Sequence, residues 1–415
     1  MNINNINIFH DVTGGTENKG KESQNMDRNQ NQSQNQGKNR NQNQGKNRNQ
    51  GQSRNQSQSQ NQSQSLPASR VMLQKQVELP DGAVFPVLTF ASWEGLAGVR
   101  HCFSTRAGGV SEGYLASLNF RRDSYDTPEN ILENYRRVAA FFDTTPDRIV
   151  CAQQTHTSNV RFVTQEDAGK GTVRDRDYWD VDGLITDVPG LVLFTSHADC
   201  CSIYFYDPVR RVIALSHSGW KGTVARIGAV TVRKMQEACG CDPANIYAAI
   251  GPSICADCYE VSEDVAEAFL TCFGTEGLPS QFEGNSSREG SETSEEYEDS
   301  VTNPFSVTKE EPAASNDNGK AERVGKDLPA AAEGNDLIPR ILTRGRRPGK
   351  FQLNLWEANA RILREAGIRP DHLTVTDLCT CENAGTLFSH RATNGRRGNQ
   401  GAFLMLEKDR PDRMQ

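Results

Sequence analysis

Two neighbouring stretches, Leu191–Pro208 (LVLFTSHADCCSIYFYDP) and Val212–Thr223 (VIALSHSGWKGT), decide how this chain folds. Each is an apolar run of strand length, rich in β-branched and aromatic residues, and each reads as a buried strand. Within about twenty residues they carry His197, Asp199, Cys200, Cys201 and His217, the densest collection of metal-ligand and acid/base side chains in the sequence. Successive side chains on a strand point to opposite faces, so Asp199 and Cys200 diverge unless the strand ends or bulges there. Chemistry therefore belongs at the strand's edge. A thiolate beside imidazoles suits zinc or copper better than magnesium or calcium, and a further imidazole would complete three ligands with one coordination position open. His156, in CAQQTHTSNV, is the candidate.

Outward from this centre, ENILENYRRVAAFF has helical spacing, with Thr127 as cap and Pro128 and Glu129 in the first turn. VARIGAVTVRKMQEACG reads as a second amphipathic helix directly after the His217 strand. FQLNLWEANARILREAGI reads as a third, stopped at Gly367. IVCAQQTHTSNVRFV and VDGLITDVPGLVLFTS read as strands with turns. Strands and helices mix without a regular βαβ alternation, and neither GxGxxG nor a Walker sequence appears, so the pattern favours an α+β sandwich over a doubly wound nucleotide-binding fold.

The 415 residues are not uniform. Residues 1–70 are rich in Asn and Gln, nearly devoid of apolar side chains, and repeat NQGKNRNQ from Asn35 to Gln50. Such a tract cannot offset its ordering entropy by burial and is expected to be disordered. It carries nine Lys and Arg against four Asp and Glu, in a chain with net charge −7, but lacks aromatics that would stack on bases, so no nucleic-acid role is expected. Residues 279–345 are acidic and of low complexity, and read as an insertion looped out of one catalytic domain spanning 71–406, with 407–415 as a short tail. The opening residues lack the features of a secretory signal, no window is apolar enough to cross a bilayer, and eleven cysteines, an odd number, read as reduced thiols. A cytoplasmic location and no membrane partner are the expectation. Oligomeric state is not legible.

HCFSTRAGGVSEGYLASLNF, QQTHTSNV, DVDGLITD, HADCCSIYFYD, LSHSGWKGT, IGPSICADCYEV and DLCTCENAGTLFSHR, in this order, resemble the multicopper polyphenol oxidase or laccase-domain family. The resemblance covers about residues 71–406 apart from the acidic insertion. It implies a compact α/β/β/α sandwich with mixed sheets, and a zinc-dependent purine nucleoside phosphorylase that also deaminates adenosine. One branch is described as a peptidoglycan editing factor. The Gln-x-His, Ala-Asp-Cys and His-x-Gly-Trp blocks of the family supply zinc ligands, which on matching positions are His156, Cys200 and His217, the trio that ligand chemistry suggested. The sequence departs from the family pattern at His197 (commonly Thr), Cys201 (usually aliphatic), Lys221 (often Arg) and Ala392 (commonly a second Arg).

On this reading the substrates are a nucleoside and phosphate. Arg106, in FSTRAGG, is the first cation for phosphate, with Lys221 and Arg391 behind it. Asn119 and Gln154 complete the expected substrate contacts, and Asp199 would relay protons during deamination. The plainer alternatives are that Arg106 pairs with a surface carboxylate, that Cys200 and Cys201 are inert buried thiols, and that His197 is a core histidine or supports a ligand. Cys255 and Cys258 (CxxC) with Cys239 and Cys241 (CxC) suggest a four-thiolate zinc only weakly; structural thiols are the default, as for Cys379 and Cys381. Three other functions compete. A copper-dependent phenol oxidase needs on the order of ten imidazoles, mostly in His-x-His pairs, whereas the chain has seven histidines and no such pair. A peptidoglycan-precursor editing hydrolase would use Cys200 as nucleophile and His217 as base. A noncatalytic metal-binding module would use the low-complexity arms to recruit partners.

Overall fold

In a computed structural model of the chain, the described residues are 69–121, 126–274 and 336–408. They all belong to one compact unit. The Asn/Gln-rich tail before residue 69, the acidic insertion up to residue 335 and the C-terminal tail from 409 lie outside the described residues.

The chain builds two six-stranded sheets and one of four strands. The first contains β1 (Met72–Glu78), β2 (Val84–Phe90), β3 (Val99–Ser104), β4 (Ile149–Cys151), β7 (Val192–His197) and β16 (Gln400–Leu406), ordered β1-β2-β3-β16-β7-β4. The second contains β5 (Val160–Phe162), β6 (Gly183–Thr186), β8 (Cys201–Asp207), β9 (Val212–Ser218), β10 (Tyr247–Ile250) and β15 (Leu373–Val375), ordered β15-β10-β8-β9-β6-β5. Both are mixed: β4 pairs parallel with β7, β5 with β6 and β10 with β15, and the other pairs are antiparallel.

Strand alternation sorts the side chains into layers. Phe103, Leu193 and Leu404 of the first sheet meet Tyr204, Ile213 and Leu215 of the second in a core between the sheets. The outer face of the first sheet, with Phe194 and Phe403, packs against Tyr135 and Val138 of α1 (Pro128–Phe141). The outer face of the second, with Ile203, Phe205 and Ala214, packs against α3 (Ile227–Cys239), α4 (Glu263–Phe273) and α5 (Leu355–Glu365) through Met235, Phe269 and Ile362. The result is an α/β/β/α sandwich. Each of these large side chains contributes roughly 1.5–3 kcal/mol by leaving water, so the three cores dominate the fold.

The local signals act as expected at α1, where the Thr127 side chain accepts the Asn130 N–H at 3.2 Å and Pro128 opens the first turn. At α5 the Asn354 side chain accepts the Glu357 N–H at 3.1 Å. The helix expected over Val224–Gly240 is α3, which begins only at Ile227 because Arg226 takes a left-handed φ of 56°, and a short α2 (Trp220–Val224) precedes it. The insertion read as looped out to Gly345 re-enters the fold earlier. β12 (Asp336–Ile338) pairs with β13 (Leu342–Arg344), β13 with β14 (Phe351–Leu353) and β14 with β11 (Glu260–Val261), and this third sheet buries Ile338 and Leu342 in the helix-side core.

The run Leu191–Pro208 is the main correction. It is two strands in different sheets, β7 in the first and β8 in the second, and Ala198–Cys200 carries the chain across between them. Asp199 makes the turn with φ 84°. The same crossing occurs between β4 and β5, through the loop that bears His156.

Candidate metal centre

The crossings bring His156, Cys200 and His217 together. One ligand atom from each lies within 4.8 Å of the others, and Cys200 Sγ stands 4.0 Å from His156 Nε2. Bond lengths to tetrahedral zinc imply donor separations of about 3.3–3.6 Å, so only a small contraction around an ion is required. His217 is buried, Cys200 half-buried and His156 exposed, which grades the three from the core to solvent.

Asp182, just before β6, organises the trio and was not singled out from sequence. Its carboxylate is fully buried, and its Oδ1 accepts the His217 Nδ1–H at 2.7 Å. That bond fixes the His217 tautomer and leaves Nε2 as the nitrogen that could hold a metal. The same carboxylate accepts the backbone N–H groups of Thr155 (2.9 Å), His156 (3.1 Å) and Thr157 (3.0 Å). Three successive amides on one carboxylate curl the loop tightly, and His156 takes a left-handed φ of 68°. Such a conformation costs a non-glycine residue roughly 1–2 kcal/mol, which the buried charge-assisted bonds offset.

Charge follows from the same contacts. Burial works against ionised Asp182, but the hydrogen bond and charge of His217 and the loop amides prevail and hold its pKa at about 2. Burial also works against a protonated His217, yet the adjacent Cys200 thiolate and Asp182 hold it up at about 9. Cys200 is the counterpart: burial opposes its thiolate, while the charge of His217 and the contact with His156 bring it down to about 6. The cluster is thus an ion pair of the Cys200 thiolate and the His217 imidazolium, backed by the Asp182 carboxylate.

Two further contacts shape the centre. Gly219 backs directly onto the ligands: a Cβ there would stand 2.9 Å from His156 Cδ2 and 3.0 Å from Cys200 Sγ, which explains glycine in HSGW. His197 is buried, with Nδ1 against the Cys200 carbonyl at 3.2 Å and Nε2 against Thr195 Oγ1 at 2.8 Å. It therefore holds the turn and is not one of the three converging donors. Cys201 points to the helix side, with Sγ 3.2 Å from Ser253 Oγ.

The three ligands open into a cavity of about 390 Å³ lined also by Gln154, Ser196, Asn399, Phe120 and the cations Arg121, Arg176 and Arg397. Of the substrate contacts expected from sequence, only Gln154 lines it, and its side chain also clamps Ser196 by two bonds of 2.7 Å. Arg106 is taken up by the carbonyls of Ala116 (3.0 Å) and Ala384 (2.9 Å) and by the Phe388 ring. Arg391 reaches the carbonyls of Cys258 and Glu260, and Lys221 is exposed beside Trp220. Asn119 is fully buried and bonds Arg121 N (2.9 Å), Asn399 N (3.0 Å) and Asp126, so it frames the cavity's wall without forming it. Asp199 accepts from Thr380 Oγ1 at 2.7 Å and Arg391 N at 2.6 Å, outside the cavity lining; these contacts give it a structural place in the turn.

A family model described as multi-copper polyphenol oxidoreductase laccase matches residues 100–293 and 318–407. The chain belongs to this family. Among relatives, it is 29% identical over 310 residues to "Purine nucleoside phosphorylase YlmD" of Bacillus subtilis, covering 74% of this chain and 88% of that protein. It is 30% identical to the protein of the same name from Geobacillus stearothermophilus over 314 residues, 74% of this chain and 90% of the relative. The crystal structure of a Bacillus licheniformis protein described as hypothetical protein YfiH superposes with a TM-score of 0.58 at 28% identity, over 77% of this chain and 96% of that one. The copper in the family's description finds no multicopper ligand set among the described residues. His101 accepts the Phe90 N–H, His372 stacks on Tyr247 and His390 lies beside Arg397, each apart from the trio. No described helix is long and apolar enough to cross a membrane.

Proposed function

We propose that the chain is a purine nucleoside phosphorylase with an adenosine deaminase side activity, dependent on zinc held by His156, Cys200 and His217. The observation that carries this reading is the opening of a three-ligand cluster into a cavity lined by three arginines. Two imidazoles and a thiolate fit zinc, and three protein ligands are the number a catalytic zinc uses. When bound, zinc supplies Lewis acidity and lowers the pKa of water.

This chain's residues do the positioning. Arg121, Arg176 and Arg397 offer the fixed cations that phosphate needs, and Phe120 and Phe194 offer apolar wall for a purine. In phosphorolysis a phosphate oxygen bonds to the anomeric carbon of the ribose as the bond from that carbon to the purine nitrogen breaks. The electron pair leaves with the purine, which takes up a proton. In deamination water replaces the amine of adenosine and ammonia departs. Asp182 keeps Nδ1 of His217 protonated, so that the other ring nitrogen would be the one to hold the metal. Adenosine, inosine, guanosine and methylthioadenosine are the candidate nucleosides.

The test incubates purified protein with adenosine and phosphate, with and without chelator. Adenine with ribose 1-phosphate, and a smaller yield of inosine, are expected from the metal-replete enzyme. No product above the His156→Ala variant would reject the reading. The Cys200–His217 ion pair also supports a second reading, hydrolysis of peptidoglycan precursors with Cys200 as nucleophile. A covalent acyl adduct on Cys200, found by mass spectrometry after incubation with such precursors, would favour it. Location in the cytoplasm accords with the free cysteines among the described residues.

A further inference from the structure

Cys255, Cys258, Cys379 and Glu382 form a second convergence of ligands, apart from the first. Cys255 caps and Cys258 ends a single helical turn, Ala256–Cys258, after β10, and Cys379 and Glu382 lie in the loop after β15. One donor atom from each of the four lies within 4.8 Å of the others. Glu382 Oε1 stands 3.7 Å from Cys255 Sγ and 4.0 Å from Cys258 Sγ. Cys379 Sγ accepts the Cys255 N–H at 3.3 Å, as thiolates bound to metal commonly do. Backbone contacts hold the two loops in register: Ser253 and Cys379 form a parallel bridge, and Thr380 N donates to Ser253 O at 3.1 Å. By contrast, the CxC first paired with this CxxC in sequence, Cys239 and Cys241, lies at the end of α3 with Cys241 in the helix-side core.

The two alternatives for such a group are inert thiols and a disulfide. All of these cysteines are free, and three sulfurs, one of them already accepting an amide, converge with the exposed Glu382 carboxylate on a single point. Three sulfurs and a carboxylate oxygen make the full set of four donors that closes a structural zinc site, and the CxxC spacing is the usual one for such sites. The location gives the site a task. Thr380, next to Cys379, donates to Asp199, and Ile254, next to Cys255, donates its N–H to the Asp199 carbonyl at 3.0 Å. Both loops of the cluster thus grip the turn that presents Cys200.

We infer that Cys255, Cys258, Cys379 and Glu382 bind a structural zinc ion that staples these two loops and holds the Cys200 turn in place. The site is independent of the reaction proposed above, because it is read out as metal content without substrate. Full-length protein, purified without chelator, is expected to hold about two zinc ions per chain by elemental analysis. His217→Ala is expected to retain about one, and C255S/C258S to lose one while keeping that of the first cluster. Cobalt substituted into His217→Ala is expected to show the intense near-ultraviolet sulfur-to-cobalt absorption of a tetrahedral thiolate site. Cys381→Ser is expected to keep both ions, and loss of the second ion in it would overturn the place given to Glu382. Should C255S/C258S fail to fold, the His217→Ala count decides alone: a retained zinc supports the inference, and none overturns it. An iron–sulfur spectrum, or a Cys255–Cys379 disulfide in the native protein, would also overturn it.

Discussion

The two ligand clusters are neighbours through Asp199 but built on opposite plans. His156, Cys200 and His217 offer three donors at the mouth of a cavity. Cys255, Cys258, Cys379 and Glu382 offer four and line no part of that cavity. The first is held by a buried carboxylate behind it, Asp182, and the second by direct backbone bridging between its loops. An incomplete shell leaves room for a reactant, whereas a complete one leaves only a crosslink. The contrast teaches that chemistry and cohesion can be given to adjacent clusters of similar soft donors, with the number of ligands deciding which is which.

The sharpest way to break this contrast is His217→Ala, for which turnover is expected to fall to background with the fold intact by circular dichroism. Retained turnover would remove the first cluster from the reaction. Next, Asp182→Asn keeps size but loses the charge that His217 and three amides require. Zinc affinity should fall by about 10–100-fold, measured by competition with a chromophoric chelator. Unchanged affinity would mean that the carboxylate orients nothing. Arg121→Ala should raise the KM for phosphate by about tenfold, the value of one charge-assisted hydrogen bond of about 1.5 kcal/mol. An effect on the nucleoside KM instead would move the phosphate site elsewhere in the cavity.

Gly219→Ala is expected to weaken zinc binding more than it lowers Tm, because the new Cβ meets the ligands His156 and Cys200 and not the core. Equal loss of both would place Gly219 in the fold alone. The smallest effect lies away from both clusters, at Asp126. Burial disfavours its charged form, but Ser111, Asn119, Asn130 and the Thr127 amide overcome this and hold its pKa below the ordinary carboxylate value of 3.8. Its contribution to stability is therefore present above about pH 4 and lost as pH falls through the lowered value. Asp126→Asn should flatten the acid side of the stability profile in urea titrations, and an unchanged slope would contradict the assignment.

Not all of the site was equally legible. His156, Cys200 and His217 stood out because imidazole and thiolate are scarce and their chemistry narrows the choice of metal. Asp182 did not, although it lies in the quoted DVDGLITD block, because an aspartate before a strand is ordinary until its partner is known. The arginines show the same difficulty. Arg106 lies in a polar break around glycines and Lys221 and Arg391 at positions of the family's pattern, but carbonyls and rings hold two of them and solvent the third. Arg121, Arg176 and Arg397 also bond carbonyls, those of Arg397, Ala152 and Gly398, but they line the cavity because loops from three parts of the chain close there. Likewise Cys255 and Cys258 were first set against the nearest CxC, and the fold pairs them with the distant Cys379.

What the sequence determined by itself were the matters of period and side-chain type: alternating and apolar runs for the strands, a cap such as Thr127 for a helix, and soft donors for a metal. The tertiary structure alone decided where the chain changes sheets. An apolar run long enough for one strand carries no mark of which sheet each half will join, since both halves bury equally well. The crossing at Ala198–Cys200 depends on what packs above and below it, and that crossing is what turns Cys200 from a core thiol toward the two imidazoles.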